Sequence, residues 1–304
     1  MTYPSLVFDP IYSQLPLPKQ HRFPIEKYQG IHDALVHRGI PPSRFVRPEK
    51  ITVAALNSVF DPNYVDKLID GQLDRKAMRR IGFEWSQHLI ARSLTAVGGT
   101  VLTAKLALEN GRALNLTGGY HHAFADFGSG FCLFNDLYLA AKEMLSHDHI
   151  DSVLIIDCDV HQGDGTALLA SHDDDIYTVS LHGEKNFPHR KQQSDIDLGF
   201  DKGTKDDEYL TYLESTLSLA FSCSRPDAVI YDAGVDVHEN DDLGHLLIST
   251  NGVYTRDKMV IDHCEREGVP VACVIGGGYQ RNIPALVDAH LQLFFAAGVD
   301  NLKT

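Results

Sequence analysis

Uncharged, β-branched runs alternate along the chain with longer stretches whose apolar residues fall at helical spacing. Val153-Leu154-Ile155-Ile156 is the plainest run. Four successive apolar residues with no polar alternation read as a strand buried on both faces of a parallel sheet. Leu6-Val7-Phe8 reads as an edge strand. Ile51 to Leu56, Ala113 to Leu116, Ile176 to Leu181, Ala228 to Tyr231 and Val269 to Ile275 read as further strands. Helices are predicted over 25–38, 68–80, 84–96, 100–109, 135–146, 167–170, 206–221, 253–267 and 285–297. Tyr28, Ile31, Leu35 and Val36 share one face of the first. Gly98-Gly99 precedes the 100–109 helix, and Asn110-Gly111 ends it. Asp61-Pro62-Asn63 reads as a turn, the proline-rich stretch 10–24 as irregular, and the polar stretch 187–205 as a surface loop.

Strands that alternate with helices imply an α/β fold with a mostly parallel sheet covered on both faces. No repeat, low-complexity linker or domain boundary interrupts the 304 residues, so one domain over 1–304 is expected. In such sheets ligands bind outside the carboxyl ends of the strands. Polar residues follow several strands: His121-His122, Asp157 to Asp164, His182, Asp236 and Asp241, and Gly276 to Tyr279. A parallel sheet would bring them to one crevice.

Asp159 and His161 are two residues apart, so in extended geometry both side chains leave the same face. That suits two ligands of one metal ion. Asp241 would complete a set of two carboxylates and one imidazole, and three protein ligands plus an open position is the arrangement of a catalytic zinc site. Such an ion lowers the pKa of its bound water towards about 7. Spacing alone also allows an acidic surface turn after the strand. Asp241 reads equally as a solvated residue of Glu239-Asn240-Asp241-Asp242. His121 and His122 suit a general acid–base pair if carboxylates fix their tautomers, or are two loop histidines. Tyr279, after three glycines, suits a hydroxyl aimed at an oxyanion, or is a tyrosine on a turn.

Charge narrows the partners. Lys and Arg number 27 against 41 Asp and Glu, a net charge of -14. That argues against direct nucleic-acid binding, which needs a basic surface, and is compatible with a basic, lysine-containing substrate. The five cysteines are scattered and contain no C-x-x-C pair, which points to a reduced, cytoplasmic protein without a disulfide framework. Cys158 and Cys273 lie in apolar runs and read as core residues. The first 20 residues lack a basic n-region and an apolar h-region, so no signal peptide is expected. No transmembrane span is expected either.

The motifs Gly-Gly-Tyr-His-His (118–122), Gly-Phe-Cys-Leu-Phe-Asn-Asp (130–136), Asp-Cys-Asp-Val-His-Gln-Gly-Asp-Gly (157–165), Val-Ser-Leu-His (179–182), Asp-Ala-Gly-Val-Asp with Asp-Asp-Leu-Gly (232–244) and Gly-Gly-Gly-Tyr (276–279) occur in one order. In that order the chain resembles the zinc-dependent histone deacetylase family over nearly its whole length. His161-Gln162-Gly163, Asp232-Ala233-Gly234 and Gly278-Tyr279-Gln280 look most like class IV deacetylases and their bacterial relatives. The resemblance implies the arginase/deacetylase fold, one α/β domain around a parallel sheet of about eight strands.

It also implies roles. Asp159, His161 and Asp241 match zinc ligands, one ion per chain. His121 and His122 match the tandem histidines, His122 being the general base, and Asp157 and Asp164 match the carboxylates that orient them. Tyr279 matches the tyrosine that polarises the scissile carbonyl. Phe131 and Phe187 match the walls of an acyl-lysine tunnel, and Gly130 a backbone contact to substrate. Asp157, Asp159, His161, Ser180 and Leu181 match a structural potassium site. Class IV members often have Asn where Asp164 stands. The implied reaction is hydrolysis of an acetyl or longer acyl group from lysine in a peptide or protein, or from another acylated amine. Leu243 occupies the place where polyamine deacetylases of the superfamily carry a glutamate gatekeeper. An arginase-like enzyme with two manganese ions would need a bridging carboxylate at position 163, where Gly163 stands. A catalytically silent relative would have lost one of these side chains, and none is lost. Acyl-chain length and oligomeric state are not readable from these residues.

Overall fold

The architecture follows from the alternation of side chains along eight parallel strands. The computed structural model describes residues 3–299. Its strands are β1 (Ser5–Val7), β2 (Phe45–Val46), β3 (Arg112–Asn115), β4 (Val153–Asp157), β5 (Ile176–Gly183), β6 (Ile196–Phe200), β7 (Ala228–Asp232) and β8 (Val271–Val274). They form one sheet in the order β2-β1-β3-β8-β7-β4-β5-β6, and every pairing is parallel. The helices are α1 (Lys27–His37), α2 (Val53–Asn57), α3 (Pro62–Ile69), α4 (Arg75–Ile81), α5 (Gln87–Asn110), α6 (Asp136–Leu145), α7 (Asp164–Ala170), α8 (Asp206–Ser224), α9 (Thr250–Glu267) and α10 (Ile283–Ala296).

Successive strand residues point to opposite faces. Leu114, Leu154, Ile156, Val229, Tyr231 and Cys273 pack with Leu213 and Leu217 of α8, Val260 of α9 and Leu286 of α10. Their neighbours Ala113, Val153, Ile155, Ala228, Ile230 and Ala272 pack on the other face, against Ala104 and Ala107 of α5 and Leu137 and Met144 of α6. A strand apolar at every position is what two covered faces require. The described residues thus form a single three-layer α/β domain.

Between β3 and β4 the chain skips two strand positions, which β7 and β8 later fill. The carboxyl ends of β3, β8, β7, β4 and β5 are therefore adjacent, although they come from distant segments. Asp157 at the end of β4 lies opposite Ser180 of β5 and Asp232 of β7.

Several expected elements differ. Ile51 to Leu56 is not a strand: the Thr52 side chain accepts from Ala55 N and caps α2. The 68–80 helix is two helices, since Gly71 adopts a left-handed φ of 72° and Asp74 caps a new start. Asp61-Pro62 is a helix start, with Asp61 as cap and Pro62 in the first turn. The 84–96 and 100–109 helices are one continuous helix, α5. Gly98 and Gly99 interrupt nothing there. A Cβ on Gly98 would lie 2.0 Å from the Glu49 carbonyl oxygen, and one on Gly99 would lie 2.2 Å from the Tyr12 hydroxyl. These glycines serve close packing rather than a break. The 187–205 loop contains β6, whose Ile196-Asp197-Leu198 alternation covers the edge of β5. Residues 10–24 hold one 3-10 turn, Pro10–Ser13.

Arg256 of α9 ties the sheet to the segments beyond it. Fully buried, it donates to the carbonyls of Cys158 (3.2 Å), Ala233 (3.1 Å) and Gly234 (2.5 Å), and pairs with Asp257 at 2.8 Å. Arg256→Met would leave Asp257 with only the Tyr231 hydroxyl as donor, and these carbonyls without Arg256, in a dry interior. Removing one partner of a buried pair costs about 3–5 kcal/mol. Urea denaturation should show a loss of that size, and a loss below about 1 kcal/mol would contradict this role.

Candidate active site

Beyond β4 the backbone bends so that its own carboxylates accept its own amides. Asp157 Oδ1 accepts from Asp159 N at 3.0 Å, and Asp159 Oδ1 accepts from His161 N at 2.9 Å. These local bonds aim Asp159 and His161 into the space beyond the sheet. Asp159 Oδ2 accepts from Gly277 N at 2.7 Å, from the loop after β8. His161 Nδ1 lies 2.9 Å from Asp159 Oδ1 and 3.1 Å from Asp236 Oδ2. One ligand atom each from Asp159, His161 and Asp236 falls within 4.8 Å of the others, and all three residues are buried. Two carboxylates and an imidazole at that spacing fit a divalent cation.

Asp241 stands beside this set. Its Oδ2 accepts from Tyr279 N at 2.7 Å, and its Oδ1 accepts from Leu243 N at 2.9 Å and Gly244 N at 3.0 Å. The carboxylate is aimed by backbone, and its charge acts on both His161 and Asp236. Burial lifts Asp241 above the usual carboxylate range, against those three amide bonds. Burial and the charge of Asp159 push Asp236 up to about 7.

The tandem histidines enter from the loop after β3. That loop is anchored by Asp136, which accepts from Gly119 N and Tyr120 N at 3.2 and 2.7 Å. His121 Nδ1 is bonded to Asp157 Oδ2 at 2.7 Å, and His122 Nδ1 to Asp164 Oδ1 at 2.6 Å. The ring centroids are 4.1 Å apart. Their environments push them in opposite directions. Burial depresses both. For His121 the nearby Asp157 and Asp159 charges override burial and hold it well above the usual imidazole value. For His122 burial and the charge of His121 outweigh Asp164 and lower it to about 4. His122 is therefore a neutral base with its Nδ1 proton on Asp164.

A cavity of about 570 Å³ opens above these groups and is lined by His122, Gly130, Phe131, His161, Phe187, Leu243 and Tyr279 among others. Phe187 is edge-on to His122 at 4.8 Å, and Phe131 lies 6.1 Å from Tyr279. Burial, then Asp159 and Asp236, hold the Tyr279 hydroxyl well above its ordinary pKa, so it remains a proton donor. Ser180 faces Asp157 across the β4–β5 pairing, with Leu181 next to it. His182 does not end its strand, since β5 runs on to Gly183. Its Nδ1 bonds Ser180 Oγ at 3.1 Å, away from the cation set.

Of the residues singled out in the sequence, His121, His122, Asp157, Asp159, His161, Asp164, Asp241 and Tyr279 are brought together at one end of the sheet, and His182 is not among them. Others were missed as members of the site. Asp236 was visible as a polar residue after β7, but nothing local ranked it above Asp241. Asp232 is fully buried, and neither of its oxygens has a hydrogen-bond partner among the described residues. Burial and the charge of Asp157 hold it well above the usual carboxylate range, and with His121 and Asp157 it forms a second buried group of the kind that could hold a metal ion. Lys27 of α1 is buried beneath Tyr279, donating to the Gly276 carbonyl at 2.9 Å. No local pattern in α1 announces it.

The histone deacetylase domain family matches residues 21–294. An uncharacterized protein of Picosynechococcus is 47% identical over 96% of this chain and 97% of its own. Histone deacetylase 2 of Arabidopsis thaliana is 30% identical over 91% of this chain and 75% of its own. The crystal structure of a histone deacetylase homologue from Aquifex aeolicus superimposes with a TM-score of 0.83 at 23% identity, covering 97% of this chain and 84% of that one. The chain belongs to the histone deacetylase family, and its fold is the arginase/deacetylase fold. Family and fold together support a deacylase-type hydrolase.

Two buried groups could hold a metal ion, Asp159–His161–Asp236 and His121–Asp157–Asp232, and one divalent ion per chain is expected. Equilibrium dialysis of metal-stripped protein against zinc should saturate at one equivalent, and Asp159→Asn should weaken binding by about 100-fold or more. Two equivalents at comparable affinity, or unchanged binding by the variant, would contradict it.

Proposed function

We propose that the protein is a zinc-dependent deacylase that hydrolyses acetyl or longer acyl groups from lysine in a peptide or protein. The observation that carries this is an apolar-walled cavity onto which His122, His161 and Tyr279 open, with Asp159 and Asp236 grouped around His161 and with carboxylates behind both tandem histidines. On the family resemblance Asp159, His161 and Asp241 would hold the ion, whereas the tight donor group in the structure has Asp236 in the place of Asp241. Asp236, already bonded to Val160 N at 2.8 Å and to His161, would orient the ligand histidine. When bound, the ion supplies Lewis acidity to the acyl carbonyl and to the attacking water.

The protein's own groups do the rest. Neutral His122 takes the proton of the water through Nε2, because Asp164 fixes its other nitrogen. His121, kept cationic by Asp157, stabilises negative charge that develops beside it. The Tyr279 hydroxyl donates to the carbonyl oxygen as that oxygen gains charge. The amine leaves with a proton returned by a histidine, and a carboxylate remains. Phe131 and Phe187 clasp the uncharged lysine stem and exclude water, while Gly130 contributes backbone. Asp157, Asp159, His161, Ser180 and Leu181 would hold a structural potassium ion as part of the same proposal. So would membership of class IV, on His161-Gln162-Gly163 and Gly278-Tyr279-Gln280, although Asp164 departs from the Asn common there. All five cysteines are free thiols, which suits a cytoplasmic setting. Among the described residues no helix is long and apolar enough to cross a membrane.

Tyr279→Phe removes one hydroxyl and little volume. kcat should fall by about 100-fold or more, the usual scale for one such donor, with Tm unchanged. Activity within twofold of the parent would show that the hydroxyl is dispensable. Leu243 sets the substrate class. It lines the cavity, offers no charge to a distant ammonium, and therefore favours acyl-lysine over acetylated polyamine. kcat/KM measured for acetyl-lysine and longer acyl-lysine peptides should exceed that for acetylspermidine and acetylputrescine. A preference for either polyamine would refute this reading of Leu243.

A further inference from the structure

The mouth of the cavity has the opposite charge to the molecule. The chain as a whole carries -14, yet no Asp or Glu lines the cavity, whereas Arg80 and Lys185 do, with His189 and His245 beside them. Arg80 and Lys185 are exposed, and neither makes an ion pair among the described residues. Two acids that adjoin lining residues in sequence, Asp242 beside Leu243 and Glu184 beside Lys185, are turned to other groups. Asp242 is paired with Arg281 at 3.1 Å. The Glu184 carboxylate is turned onto the β6 edge, where it would collide with a Cβ on Gly199 at 2.0 Å.

Both cations are carried by backbone that adjoins the cavity walls. The carbonyl of Arg80, in the last turn of α4, accepts from Gly130 N at 3.2 Å, and that of Ile81 accepts from Phe131 N at 2.7 Å. The Arg80 guanidinium lies over the Phe127 ring at 4.5 Å, which holds it at the rim. Lys185 precedes the second wall, Phe187, by two residues. Between them Asn186 is buried and donates to the Leu243 carbonyl at 2.9 Å. The rim cations therefore stand on an ordered frame.

We propose that this rim selects acyl-lysines flanked by acidic residues and disfavours strongly basic segments. The inference rests on the deacylase reading above and names the substrate class for that site. An acylated lysine side chain is neutral, so the apolar channel needs no charge. The residues on either side of it in a peptide stay at the mouth, within the roughly 8–10 Å over which exposed charges interact at moderate salt. Two unpaired cations there attract carboxylates and repel a run of lysines, and a cleft with low-dielectric walls focuses that field.

The test uses three acetyl-lysine peptides of equal length, with Ala, Asp or Lys at the two positions on each side of the acetyl-lysine. At low salt kcat/KM should be about tenfold or more higher for the Asp peptide than for the Lys peptide, with the Ala peptide between. The ratio should fall towards one in about 0.5 M salt, where screening shortens to a few ångströms. In the double variant Arg80→Glu/Lys185→Glu the order should reverse. In Arg80→Ala/Lys185→Ala the ratio should collapse towards one, and thermal melting checks that both variants fold. Turnover of the Ala peptide with equal or inverted Asp and Lys rates in the parent protein would overturn the rim inference and leave the deacylase reading standing. No turnover of any peptide by the zinc-loaded protein would overturn both.

Discussion

The structure depends on how carboxylates are held in a dry place. Asp157, Asp159, Asp164, Asp232 and Asp236 are all buried at the carboxyl ends of the central strands, and Asp241 lies beside them. Desolvation penalises Asp157, Asp159, Asp232 and Asp236, and neighbouring carboxylate charge adds to the penalty for Asp157, Asp232 and Asp236. The fold offsets this with three kinds of partner. Backbone amides of 159, 160, 161, 243, 244, 277 and 279 donate to the cluster. Imidazoles of His121, His122 and His161 bond to it. The buried ammonium of Lys27 places a positive charge near Asp236, Asp159 and Asp241. A divalent cation would complete such a cluster, in keeping with the deacylase-type hydrolase that family and fold support.

The same crowding separates the roles of the two adjacent histidines. His121 sits where carboxylates dominate and is held protonated. His122 sits one residue further out, where burial and the charge on His121 dominate, and is held neutral near pH 7. Two identical side chains thereby acquire different protonation states from position alone. Charge is partitioned on a larger scale too. The interior floor of the site is acidic and the mouth is basic, so the net charge of the chain describes neither.

The sheet was largely legible because burial on both faces leaves a simple signature: four or five apolar residues in succession, as in Val153 to Ile156 and Ala228 to Tyr231. Elsewhere a competing local force prevailed. Thr52 capped a helix where β-branched residues suggested a strand, and two glycines served close packing inside α5 rather than ending it. β6 was hidden because an edge strand with one wet face resembles a polar loop. In the site, Asp159, His161, Asp157 and Asp164 were readable since one continuous segment carries them. His121, His122 and Tyr279 were readable as strand-end polar residues. Asp236 as a partner of His161, Arg256 beneath three carbonyls and Lys27 beneath Tyr279 were not. Each acts on residues far away in the chain, and no local periodicity records that.

The central claim is that this carboxylate–imidazole cluster, loaded with one zinc ion, hydrolyses an acyl-lysine amide. It is tested most directly by adding zinc stepwise to metal-stripped protein while following release of acetate from an acetyl-lysine peptide. The account predicts no turnover at the start and a rise that reaches its plateau at one equivalent of zinc per chain. Full turnover before any zinc is added, a plateau only at two equivalents, or no turnover at any zinc level would contradict it.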